Sequence, residues 1–130
     1  MLRCGGPEEG FAGRVERYLR AEARRRLSEV TAEMAAKACV TVKSVAVGDA
    51  SSRWGSCSAD GTIRFNWRLI LAPPHLLEWV SAHEVAHRRH MDHGRAFKAL
   101  EAELFGGNVA AARAALRALG PRLKRVGRGL

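Results

Sequence analysis

The chain has 130 residues, 47% hydrophobic and 27% charged, which suits one globular domain with a modest core. No apolar run approaches the roughly 20 residues that cross a bilayer, and residues 1–10 lack the apolar stretch of a secretory signal, so no membrane role is expected. Three cysteines (Cys4, Cys39, Cys57) without a CxxC pair fit a reducing cytoplasm, and the net charge of +9 favours a polyanion partner such as a nucleotide, nucleic acid or ribosome.

Residues 1–10 are glycine-rich and expected to be disordered; residues 11–120 are expected to form the single domain. Over residues 11–38, Val15, Leu19, Ala23, Leu27, Val30 and Met34 recur every three or four positions, which predicts a helix with its arginines on a solvated face. Residues 39–47 are rich in β-branched side chains and run into Gly48-Asp49, a turn signal, so they read as a strand. The turn Ala59-Asp60-Gly61 pairs residues 53–58 with a second strand over residues 62–66. Trp67 to Ala72 leads out of the sheet.

Pro73-Pro74 opens a helix expected to reach about residue 89, with Leu77, Trp79, Val80, His83, Ala86 and His87 turned inward. His90 to Gly94 bends the chain. Residues 95–105 read as another helix closed by Gly106-Gly107, and Asn108 caps a last helix. Gly120-Pro121 is expected to end it, leaving residues 121–130 as a loose basic tail. The expected fold is α+β, a minimal zincin-like arrangement: a small antiparallel sheet packed against an active-site helix, with two or three further helices.

His83-Glu84-Val85-Ala86-His87 is an H-E-x-x-H run. Two histidines four apart lie on one helix face, about 40° apart around the axis and about 6 Å along it. Both imidazoles can therefore grip one metal ion. Glu84 projects to the side, placed as a general base rather than a ligand. An ordinary solvated helix can carry the same letters. Here the run sits in the apolar stripe of its helix, a third histidine follows, and buried imidazoles need a partner that a metal provides.

Catalytic zinc commonly takes three protein ligands and a water. His93 follows His83 by ten residues, the separation found in H-E-x-x-H-x-x-G-x-x-H. Position 90 is histidine rather than glycine and no Met-turn follows, so that wider pattern is absent. His90, Glu101 and Glu103 are rival third ligands; on a continued helix His90 would lie about 10.5 Å along the axis from His83. Asp92 could instead orient a ligand imidazole from behind.

Several motifs in the same order resemble one family. They are Arg53-Trp54-Gly55-Ser56-Cys57-Ser58, then Gly61-x-Ile63-x-Phe65-Asn66-Trp67-Arg68-Leu69-Ile70, then Ala72-Pro73-Pro74, then His83-Glu84-x-x-His87 and His93-Gly94-x-x-Phe97. Over roughly residues 40–105 the chain resembles the YgjP-like metallopeptidase-domain family, which is related to the WLM and SprT-like zinc proteases. The resemblance implies a minimal zincin with zinc held by the residues matching His83, His87 and His93, and Glu84 matching the catalytic base. It departs at the N-terminus, where a helix stands in place of a β-rich region, and at Gly94, where serine is common.

The residues read as a zinc metallohydrolase cutting peptide bonds, with Glu84 moving the proton and Arg53, Arg68 or His90 steadying the oxyanion. The strand over residues 62–66 or its hairpin partner is the natural place for an extended peptide to add. Arg53, Trp54, Asn66, Arg68 and His90 are accordingly candidate substrate contacts, although Trp54 also reads as core and Arg53 as an ion-pair partner. Two other classes stay open: a metal-dependent nucleotide phosphoanhydride hydrolase, and a nucleic-acid- or ribosome-associated zinc adaptor without catalysis. The sequence sets no oligomeric state.

Overall fold

Ala23, Leu27, Val30 and Met34 are buried at three- and four-residue steps, and this stripe holds the long helix α1 (Gly6–Ala38) against the rest of the molecule. A computed structural model of the chain describes residues 6–50 and 52–127. α1 begins at Gly6, five residues ahead of the expected start; residues 1–5, where disorder is expected, lie outside the described residues. The helix stops in a Schellman turn. Cys39 takes φ +57°, its N–H bonds Ala36 O at 3.2 Å, and Val40 N–H bonds Ala35 O at 3.0 Å. Cys39 is thus a helix cap and not the start of a strand. The expected strand shortens to β1 (Ser44–Gly48), because residues 40–43 are used to cross from the helix end to the sheet.

The hairpin forms as its turn residues dictate. β2 (Gly55–Cys57) and β3 (Thr62–Asn66) pair antiparallel around Gly61, whose φ of +100° suits glycine, and Thr62 N–H bonds the Asp60 carboxylate at 3.0 Å. β1 pairs with the other edge of β3 in parallel, from Ser44↔Thr62 to Gly48↔Asn66. The sheet is therefore mixed, with order β1-β3-β2, and not purely antiparallel as expected. The cause is the crossing over residues 49–54, which carries the chain around the Asn66 end of β3 from one edge to the other. Asn66 fixes that crossing: its side-chain amide donates to Ala50 O and its backbone N–H to Trp54 O, both at 2.9 Å.

Asn66 also accepts from Arg68 N–H at 2.9 Å, capping a short 3₁₀ turn (Trp67–Leu71). Arg68 is fully buried; it donates to Val126 O at 2.7 Å, pairs with Asp49, and lies 4.7 Å over the Trp67 ring. Both residues, candidate substrate contacts by sequence, thus sit in a buried network that ties the sheet crossing to the C-terminal segment.

α2 (Pro74–Ala86) starts with Pro74 in its first turn and is buried nearly all round, through Leu76, Leu77, Val80, Ala82, Val85 and Ala86. It touches α1, the 3₁₀ turn, β2, α3 and α4, which makes it the central element. It ends three residues earlier than expected. Arg88 donates to Thr41 O at 2.7 Å and Arg89 to Ala38 O at 3.3 Å, so the exit is drawn across to the end of α1. α3 (Arg95–Phe105) closes at Gly106 with φ +74°, and Asn108 caps α4 (Val109–Leu123) by accepting from Ala111 N–H at 3.0 Å.

α4 runs through Gly120-Pro121 instead of ending there. A Cβ on Gly120 would lie 3.3 Å from a Trp54 ring carbon, so this glycine serves a close helix–indole approach. Leu123 is buried and the Lys124 ammonium lies 4.9 Å over Trp54. The segment expected to be loose is consequently packed as far as Val126; residues 128–130 lie outside the described residues. Among the described residues, four helices and a three-stranded mixed sheet make an α+β arrangement of the minimal zincin-like kind. Among the described residues no helix is long and apolar enough to cross a membrane.

Candidate metal centre

Three imidazoles converge beside the end of α2. His83 and His87 come from its last turn, and His93 comes back to them after the bend over residues 88–94. One ring nitrogen from each lies within 4.8 Å of the others, and no other group of three or more such donors occurs among the described residues. Ring centroids are 5.0 Å apart for His83 and His87, 5.3 Å for His83 and His93, and 4.7 Å for His87 and His93. Of the rival third donors, Glu103 is exposed on α3 and His90 stands outside the trio.

Two of the three outer nitrogens are already committed. His83 Nδ1 bonds Glu101 Oε2 at 2.8 Å, and His87 Nδ1 bonds the backbone carbonyl of His90 at 3.0 Å. Both are acceptors, so each Nδ1 carries its proton and each Nε2 lone pair is left for a cation. That is the second tier of contacts that metal-binding histidines usually have. Glu101 is almost fully buried and also accepts from the Trp79 indole at 2.9 Å. Burial pushes its carboxyl up, but the bonds from His83 and Trp79 outweigh this and hold it below its ordinary value. It is ionised and positions His83. Asp92, the expected orienting acid, instead accepts from Gly94 N–H at 3.1 Å and shapes the entry to α3.

Sequence reasoning missed two parts of the centre. Glu101 was a rival ligand and is an orienting acceptor. Phe97, readable as the apolar face of α3, forms the floor, 4.5 to 5.0 Å from all three imidazole rings and 1% exposed. An apolar floor strengthens the site's electrostatics by keeping water from one side. Burial also lowers the His87 pKa, against the opposing His90 carbonyl bond, which keeps this ring neutral and ready to ligate. The donor set, three convergent imidazoles with the outer nitrogens of His83 and His87 satisfied, fits zinc.

Glu84 faces the same cleft but stands outside the donor trio. It is 6% exposed, and burial pushes its carboxyl up to about 7, with His83 and Arg53 pulling it back. A Cβ on Gly55 would lie 3.0 Å from Glu84 Cγ and Oε2, so only glycine lets β2 pass this close. Of the other sequence candidates, Arg53 lines the cleft, Trp54 lines the adjoining depression, and His90 contributes its carbonyl.

The raised Glu84 pKa makes a stability prediction for the metal-free chain. The fold favours the neutral carboxyl, so its cost is absent below the ordinary 4.5 and complete above about 7. Metal-free Glu84→Gln is expected to be more stable than wild type at pH 8 by about 3 kcal/mol, and no more stable at pH 4. Urea unfolding at the two pH values checks this; an equal difference at both would contradict it.

A family model described as YgjP-like, metallopeptidase domain, matches residues 5–118. No curated protein matches the chain significantly. The match spans most of the sequence, and the chain belongs to the YgjP-like metallopeptidase-domain family.

Proposed function

From membership of a metallopeptidase-domain family, we propose that this chain is a zinc-dependent peptidase in which Glu84 is the general base. The observation that carries the reading is the pairing of a buried carboxylate with three convergent imidazoles, two of which, His83 and His87, have their outer nitrogens already bonded. His83, His87 and His93 hold the ion. Zinc, when bound, supplies a Lewis acid and lowers the pKa of water to about 7. Glu84 takes the proton of the attacking water and returns it to the leaving amine. Arg53, at the mouth of the cleft, is the donor placed to steady the developing oxyanion.

β2 is an edge strand, with β3 on one side only among the described residues, and it runs past Glu84. An extended peptide adding to that edge would lie across the cleft, with its backbone held by main-chain bonds. The chain's +9 charge favours the second reading, hydrolysis of a nucleotide phosphoanhydride at the same centre.

The deciding experiment is a paired assay of zinc-loaded protein, with peptide libraries read by mass spectrometry and nucleoside triphosphates read by released phosphate. New peptide termini are expected, abolished by a chelator and restored by zinc. Phosphate release without peptide cleavage would replace this reading with the second.

A further inference from the structure

We propose that the depression beside the metal centre, walled by Trp54, Trp79 and Val80 and overlooked by Arg113, is a subsite for a carboxylate-bearing residue of the peptide, next to the bond that is cut. This rests on the peptidase reading. The depression holds about 240 Å3 and shares Arg53, Gly55, His83 and Glu84 with the metal cleft, so a chain lying across Glu84 reaches both. That volume is below the roughly 300–1,000 Å3 of sites that enclose a whole small molecule, and it fits one side chain.

The chemistry of the walls selects the side chain. Arg113, on α4, lies 5.6 Å over the Trp79 ring, a stacking that steadies its planar group at the rim. Arg53 lines the depression with it. Among the described residues neither guanidinium makes a hydrogen bond or an ion pair, although each acts through space on a buried acid, Arg113 on Glu101 and Arg53 on Glu84. Glu101 is turned to His83 and Trp79, so it does not satisfy Arg113. One guanidinium over an indole wall, with a second lining the same depression, favours a planar anion that accepts from them. A basic side chain would be repelled by the two guanidiniums, and a neutral one would leave both to solvent without gaining a charge-assisted bond.

The test uses the zinc-loaded full chain and two hydroxamic acids that differ at the far end only, glutaric acid monohydroxamate and its carboxamide. Calorimetry is expected to show the carboxylate probe bound roughly tenfold more tightly, the worth of one charge-assisted hydrogen bond. In Arg113→Gln that ratio falls below about twofold with zinc still bound, and Arg113→Lys keeps part of it. Equal binding of both probes by wild type, or a ratio that survives Arg113→Gln, overturns the subsite and leaves the metal reading standing. Failure of both probes to bind the zinc-loaded chain removes the peptidase reading and the subsite with it. A phosphonate-ended probe bound more than about tenfold tighter than the carboxylate reassigns the depression to a phosphate group.

Discussion

Glu84→Gln is expected to lower peptide hydrolysis by about 10²–10⁴-fold, the usual worth of a positioned general base, while the chain keeps its metal. The substitution is isosteric, and the space around Glu84 is set by Gly55 and Val80, so the amide occupies the carboxylate's place. It cannot take a proton. The loss should fall on kcat with little change in KM, because the ground-state complex does not need the charge. Zinc content equal to wild type separates this outcome from a damaged site. An activity within about threefold of wild type would exclude Glu84 as the base, because that is far short of what general-base catalysis supplies.

Glu101→Ala is expected to weaken zinc binding by about 10–100-fold, although Glu101 touches no metal in this account. The change leaves His83 Nδ1–H and the Trp79 indole N–H without their acceptor. Trp79 is buried and His83 partly buried, so the metal-free chain should also lose about 1–3 kcal/mol of stability. Glu101→Gln keeps an oxygen at that place and should recover much of the stability but not the full zinc affinity, since the neutral amide makes His83 a weaker base. Competition with a chromogenic chelator and urea unfolding read the two effects separately. Zinc affinity unchanged in both variants would mean that the orientation of His83 does not depend on this acid.

The parts of the centre that were legible in the sequence are those set by spacing on one element. His83, Glu84 and His87 share a helix, and their relative placement follows from 3.6 residues per turn. The hairpin was legible because Asp60-Gly61 dictates its own geometry. Glu101 was visible as an acid near the site, but its role depends on α3 packing across α2, which no local pattern records. The parallel pairing of β1 depends likewise on the crossing over residues 49–54, held by Asn66.

Two readings failed because one residue type serves two purposes. Gly120 resembles a helix stop and is a contact point for Trp54. Arg68 resembles a substrate-binding cation and is a buried tie between Asp49 and Val126. In both cases the deciding neighbour lies more than fifty residues away or across the sheet, where periodicity carries no information.

Everything proposed depends on three imidazoles sharing one ion, and metal content reads that most directly. Wild-type chain loaded with zinc and exhaustively dialysed should hold about one zinc per molecule by mass spectrometry of the elements, as a three-histidine site requires. His93→Ala should lose it, and His90→Ala should keep it. Zinc retained by His93→Ala and lost by His90→Ala, or no zinc held by the wild-type chain, would contradict the account.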